Sequence, residues 1–281
     1  MVVDGGGRLD LDALTADIRL RAVPTREGPR FQLALAGDAA SAVPVATISP
    51  GEAVAEVLAL LKLIATRGPG ARAIDALPKR AGRQPQHATS LQSSRSDPVG
   101  CHPLKGGAVA LGLGLAFGHA EASALLALAR IAMANGAGWA RPAPGRALLF
   151  GPLSQVHVEA TREAAERLGF VAEASDPRRR IAACPGAPSC AQGLIAARAL
   201  AAELASHLKP PGDGIAVHIS GCAKGCAHPR AAPLTIVGTE KGCGIVHNGS
   251  APDRPEDIVD PADLAAALDT IAAETREAVN A

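Results

Sequence analysis

Four of the six cysteines in this chain are spaced for chemistry: Cys184 and Cys190 with five residues between them, Cys222 and Cys226 with three, and thirty-one residues separating the two pairs. One thiolate per iron is what a [4Fe-4S] cube requires. Pro185, Gly186, Gly221 and Gly225 keep the chain non-helical beside the sulfurs and let backbone N–H groups approach a cluster. Structural zinc favours ligand pairs separated by about two to four residues, a spacing the second pair meets and the first does not. Ordinary buried thiols are the plain alternative, since free cysteine is among the most buried residue types.

The remaining chemistry-bearing groups are cationic or isolated. Lys224, His228 and Arg230 surround the second pair. Such groups bind carboxylates by charge-assisted hydrogen bonds, or simply form a solvated basic loop. Arg178, Arg179 and Arg180 precede Cys184 and suit either a solvated run or the steering of an anion. Cys101, His102 and Cys243 have no second ligand at metal-binding spacing. Gly112-x-Gly114-x3-Gly118 is one residue too long for a dinucleotide fingerprint, so any electrons are expected from a separate reductase.

Several elements must position these groups. Short extended segments are expected at residues 17–23, 31–36 and 43–48, followed by a helix. Ser49 is its N-cap, Pro50 its first residue and Glu52 the reciprocal partner, with Val54, Val57, Leu58, Leu61 and Ile64 or Ala65 on the buried face and Gly68 as the stop. Residues 69–103 lack periodicity and read as a linker or long loop.

Residues 107–174 then read as strand 109–117, helix 121–135, a hairpin of 138–141 and 146–150, helix 155–168 and strand 170–174. The order β-α-β-β-α-β is that of a ferredoxin-like unit. A helix over 190–208, strands over 215–219 and 234–237 and a third extended segment over 244–247 follow. A last helix is capped by Asp260, opened by Pro261 and carries Leu264, Leu268 and Ile271 on one side.

The fold class is therefore α+β. Three parts are expected: 1–98, a remnant of a first α+β repeat plus linker; 99–175, a ferredoxin-like half-domain; and 176–281, a cluster domain. The 281 residues suffice for this, and 48% hydrophobic against 20% charged residues provide a core. Only 2% aromatics and a net charge of +1 argue against nucleic acid as a partner. The longest apolar run, 108–117, is broken by Gly112 and Gly114 and falls short of the roughly 20 residues a membrane span needs. The first residues lack the basic and apolar regions of a secretory signal, and a cytoplasmic location is expected.

The cysteine quartet, set in Ala182-Ala183-Cys184-Pro185-Gly186 and Ser220-Gly221-Cys222-Ala223-Lys224-Gly225-Cys226, resembles the cluster signature of the sulfite and nitrite reductase family. Lys224, the following Ala227-His228-Pro229, and residues 147–153 are most similar to that family's precorrin-3B synthase branch. The resemblance is specific from about residue 100 to the end and weaker over 1–68. It implies a ferredoxin-like half-domain before a nitrite/sulfite reductase-type [4Fe-4S] domain, and a substrate face bearing Arg146, Lys224, His228 and Arg230. Arg146 could equally be an isolated exposed arginine.

The implied reaction is dioxygen-dependent hydroxylation of precorrin-3A with γ-lactone formation, in aerobic cobalamin biosynthesis. A precorrin is then the partner, together with an external electron donor, and a non-haem iron is implied for which His119 and His157 are candidates. Two alternatives stay open. One is a sirohaem-dependent sulfite or nitrite reductase. The other is a non-catalytic [4Fe-4S] subunit needing a separate protein that carries the N-terminal half, because the Arg-Ala-Asn-Leu-Gln-like segment of the family's first half is not found and residues 1–68 resemble the end of that half.

Overall fold

The computed structural model describes residues 1–76, 96–206, 215–264 and 266–267. The chain divides into two compact units, Met1–Asp97 and Pro98–Ala281.

In the first unit, strands β1 (Val2–Asp4), β2 (Ile18–Thr25), β3 (Gly28–Leu35) and β4 (Val43–Ile48) form one sheet in that order, antiparallel apart from the parallel β1–β2 pair. Helix α1 (Pro50–Arg67) follows, and its capping box closes as expected: the Glu52 N–H donates to the Ser49 hydroxyl, and the Ser49 N–H donates to the Glu52 carboxylate at 2.8 Å. The buried face is only partly the expected one. Val57 and Ile64 face the core as expected and, with Ala53 and Leu60, pack on Ile18, Leu20, Leu33 and Leu35. Val54, Leu58 and Leu61 are exposed instead. Apolar residues occur on two sides of this helix, so periodicity alone does not separate the buried stripe from its neighbours.

The second unit holds two sheets. The first orders its strands β5 (Gly100–Pro103), β6 (Val109–Gly114), β8 (Ala147–Leu153) and β7 (Trp139–Ala143), all antiparallel. Helices α2 (Ala122–Ala134) and α3 (Gln155–Arg167) share a core with Val109, Leu111, Leu113 and Phe150, through Leu128, Ala132, Val158 and Ala165. On the outer strand β7, the Arg141 guanidinium lies over the Trp139 ring at 4.7 Å.

The ferredoxin-like order is present with one change. The expected strand 170–174 is reduced to a single antiparallel bridge, Val171 to Gly114. β5 pairs with Val109–Gly112 on that edge and leaves only its end free. Residues 100–103 were expected to be loop; as a four-residue strand ending in Pro103 they carry no alternating signal. Gly112 and Gly114 also find their reason here, since a Cβ on Gly112 would stand 1.7 Å from the Pro98 carbonyl oxygen and one on Gly114 3.1 Å from Val171 Cβ.

The second sheet orders β13 (Asp257–Val259), β12 (Gly242–Gly249), β11 (Ala232–Thr239), β10 (Val217–Ser220) and β9 (Ile181–Ala183). β9, β10 and β11 run parallel; β12 and β13 are antiparallel. Helix α4 (Ala197–Leu204) contributes Leu200 and Leu204 to a core with Ile181, Val217, Ile219, Ile236 and Ile245, which Phe117 also enters. Phe117 follows β6, so the two sheets of this unit share packing.

The expected helix 190–208 is shorter, because residues 190–196 form turns in which a Cβ on Gly193 would lie 2.5 Å from the Ala187 nitrogen. Asp260 caps its turn as expected, accepting from the Ala262 N–H at 2.9 Å, and Leu264 is buried. Leu268 and Ile271 lie outside the described residues.

Candidate cluster site

Parallel pairing of β9 with β10 brings their carboxyl ends side by side, in register from Ile181 opposite Val217 to Ala183 opposite Ile219. Cys184 is the first residue past β9, and its N–H donates to the Ile219 carbonyl at 3.2 Å. Cys222 follows β10 by two residues. Ligands of parallel sheets characteristically sit at this edge, where loops leave neighbouring strands.

The two cysteine loops are laced together by backbone. Gly221 N–H donates to Cys184 Sγ at 3.1 Å, and Leu194 N–H donates to the Gly221 carbonyl at 2.7 Å. Cys190 N–H donates to the Gly186 carbonyl at 2.8 Å. Glycines permit the approach: a Cβ on Gly221 would lie 3.0 Å from Gly186 Cα and 3.2 Å from Gly193 Cα, and one on Gly238 would lie 2.3 Å from the Gly221 oxygen.

Cys184, Cys190 and Cys222 are half-buried and Cys226 is exposed, all as free thiols. Among the described residues, no three cysteine, histidine or carboxylate side chains are gathered closely enough to hold a metal ion. The donor set fits a [4Fe-4S] cluster in number and chemistry, two segments supply it at one sheet edge, and one sulfur already accepts a backbone N–H. When bound, such a cluster supplies one-electron transfer.

The basic residues divide into two groups. Lys224 and Arg230 are exposed and His228 is half-buried, its N–H donating to the Gly225 carbonyl at 3.2 Å; all three belong to the second cysteine loop or its exit. Arg146 is anchored on backbone. Its guanidinium donates to the Ile181 and Arg179 carbonyls, each at 2.7 Å, and thereby holds the start of the strand leading to Cys184. Burial, and then the nearby Arg179 charge, lower its pKa.

Arg178 and Arg179 are likewise used internally. Arg178 pairs with Asp176 at 2.6 Å and donates to the Gly169 carbonyl at 3.0 Å, while Arg179 donates to the Ala174 carbonyl at 2.6 Å. His119 lies 3.8 Å from Glu121, whereas His157 Nδ1 is 3.2 Å from the Ser154 hydroxyl; they form no shared metal set. Cys101 is exposed with Arg162 at 3.4 Å, and His102 Nε2 lies 3.0 Å from the Pro98 carbonyl. Cys243 is wholly buried, and burial followed by the Asp260 charge pushes its thiol up to about 11.

His218 was not singled out from sequence. It lies within β10, fully buried, with neither ring nitrogen partnered. Burial, and then His228, hold its pKa down at about 4, so the ring is neutral at pH 7. The His218 and His228 rings meet edge to face, with centroids 5.8 Å apart. The available signal was a histidine flanked by valine and isoleucine in a buried strand, four residues before a cysteine.

No family model matches the chain. A precorrin-3B synthase from Sinorhizobium sp. is 36% identical over 273 residues, a match spanning 95% of this chain and 60% of the relative. The Mycobacterium tuberculosis NirA protein superimposes with a TM-score of 0.62 at 20% identity, over 94% of this chain and 57% of NirA. The chain thus spans less than two thirds of either protein's length. No helix among the described residues is long and apolar enough to cross a membrane. Over nearly its whole length the chain is similar to part of a precorrin-3B synthase, and it shares its α+β fold with part of NirA.

Proposed function

We propose that this chain carries the [4Fe-4S] centre of an oxidoreductase acting on a precorrin, with Cys184, Cys190, Cys222 and Cys226 as its ligands. The reaction is that of precorrin-3B synthase: dioxygen-dependent hydroxylation of precorrin-3A with γ-lactone formation, fed with electrons by an external donor. The observation that carries this reading is the convergence of both cysteine loops on the carboxyl ends of β9 and β10, in a chain homologous to a precorrin-3B synthase. Lys224, His228 and Arg230 are the side chains available to the substrate carboxylates, since the Arg146 guanidinium is engaged by backbone. Arg–carboxylate and Lys–carboxylate hydrogen bonds of this kind are roughly twice as strong as neutral ones.

Anaerobically purified protein should hold about four irons and four sulfides per chain and show a broad iron-sulfur absorbance, all lost in Cys222→Ser. Absence of iron from freshly purified wild-type protein would sink the reading. An intense Soret band would assign a sirohaem reductase instead. Precorrin-3A, dioxygen and a chemical reductant supplied to this chain should give the hydroxylated lactone, detected by mass; product formed only after adding a protein with the family's N-terminal half would assign a split enzyme.

A further inference from the structure

The face of β10 opposite α4 presents His218, and the second cysteine loop lies on it. Val217 and Ile219 enter the core beneath α4, so strand alternation sends His218 to the other side, opposite Ala182 on β9 and Thr235 on β11. Gly225, next to Cys226 in the Cys222–Cys226 segment and at φ +65°, lies beside the ring: a Cβ there would stand 3.8 Å from His218 Cε1. Cε1 is bonded to both ring nitrogens, so this part of the loop lies near the two groups that lack partners. Among the described residues, His218 is the only side chain whose every nitrogen or oxygen is both buried and unpartnered.

Such a residue is costly. A buried donor or acceptor left unmade is destabilising, and buried polar groups in folded proteins are almost always satisfied. The loop beside the ring is also one of the two that supply the proposed cluster ligands. Its turn is closed by the His228 N–H to the Gly225 carbonyl. Cys226 directly follows Gly225 in the chain, and a cluster-bound thiolate is an acceptor that the neutral ring can serve.

We infer that His218 is a positioning residue for the cluster: its imidazole N–H donates to the sulfur of Cys226 in the loaded protein. This rests on the cluster reading above and deepens it. A hydrogen bond to a ligand sulfur stabilises the reduced, more negative cluster and raises its potential. Removing the donor lowers that potential.

The experiment compares cluster-loaded wild type with His218→Phe, His218→Gln and His228→Phe. Iron and sulfide are counted, the midpoint potential is measured by EPR-monitored titration, and pulsed EPR of the reduced cluster is recorded with 15N-histidine. Wild type and His228→Phe should show one histidine nitrogen coupled to the cluster. His218→Phe should keep four irons, lose that coupling and become about tenfold harder to reduce, equivalent to about 59 mV for one electron. His218→Gln, which retains an N–H donor, should recover most of the potential. If His218→Phe proves unstable, loss of iron there with retention in His218→Gln supports the inference. Unchanged potential and coupling in His218→Phe, or equal loss of iron in both variants, would overturn it while leaving the cluster reading intact. A wild-type protein without iron removes both.

Discussion

Gly221 and Cys184 sit at the ends of neighbouring parallel strands, and the Gly221 N–H donates to the Cys184 sulfur at 3.1 Å. A side chain at Gly221 would be crowded. A Cβ would crowd Gly186 Cα at 3.0 Å, Gly193 Cα at 3.2 Å and Cys184 Sγ at 3.4 Å, all of them backbone or ligand atoms held by their own hydrogen bonds. Gly221→Ala is expected to cost about 1–3 kcal/mol, the usual range for overpacking, and to reduce bound iron. Gly7→Ala, where nothing lies within 4 Å, is the control that should change neither. Urea midpoints and iron content measured together check this.

Arg146 links β8 to the strand that delivers Cys184. Truncation to alanine strips two backbone carbonyls of their shared donor and should lower stability by about 1–3 kcal/mol. Lysine has one nitrogen and cannot span both carbonyls, so Arg146→Lys should recover only part of the loss. Denaturation midpoints of the three proteins provide the comparison; a substrate-binding role alone would leave them equal.

His218 should make the protein acid-sensitive. The folded protein holds the ring neutral to about pH 4, whereas the unfolded chain protonates it near 6.5. Between these values the unfolded state binds the additional proton. Stability is therefore intact above pH 6.5 and falls as pH drops toward 4, by at most about 3 kcal/mol at 1.36 kcal/mol per unit. Denaturation series from pH 7.5 to 4 should show this slope in wild type and a shallower one in His218→Phe.

Thiol reactivity should separate the cysteines by place. Cys101 and Cys226 are exposed, whereas Cys243 is buried with its thiol held near 11. Iodoacetamide at pH 8 should label the first two in metal-free protein and spare Cys243, and cluster loading should then protect Cys226 but not Cys101. Peptide mass mapping reads all three at once.

The features legible in sequence were those whose cause is local. The Ser49 capping box needs only residues 49–52, and the hairpin and both helices of the ferredoxin-like unit were found within a few residues of their ends. The cysteine spacing named the donor set for the same reason. Long-range choices were hidden. Nothing near residue 170 reveals that β5 occupies the edge its strand would take, and nothing near Val217 reveals that Ile181–Ala183 will lie parallel beside it. Arg146 looked free because its acceptors, Arg179 and Ile181, are over thirty residues away. His218 looked ordinary because burial is decided by the sheet, not by its neighbours in the chain.

The outer strand β7 has a consequence for self-association. A sheet edge with open hydrogen-bonding groups is a template on which a second chain can add a strand. β7 exposes Ala140, Arg141 and Pro142; Pro142 has no N–H to offer, and the guanidinium of Arg141 covers the Trp139 ring that would otherwise be a sticky apolar surface. This open edge is thereby ill suited to zip onto a neighbouring molecule, which disfavours growth of the ferredoxin-like sheet into an intermolecular one through β7.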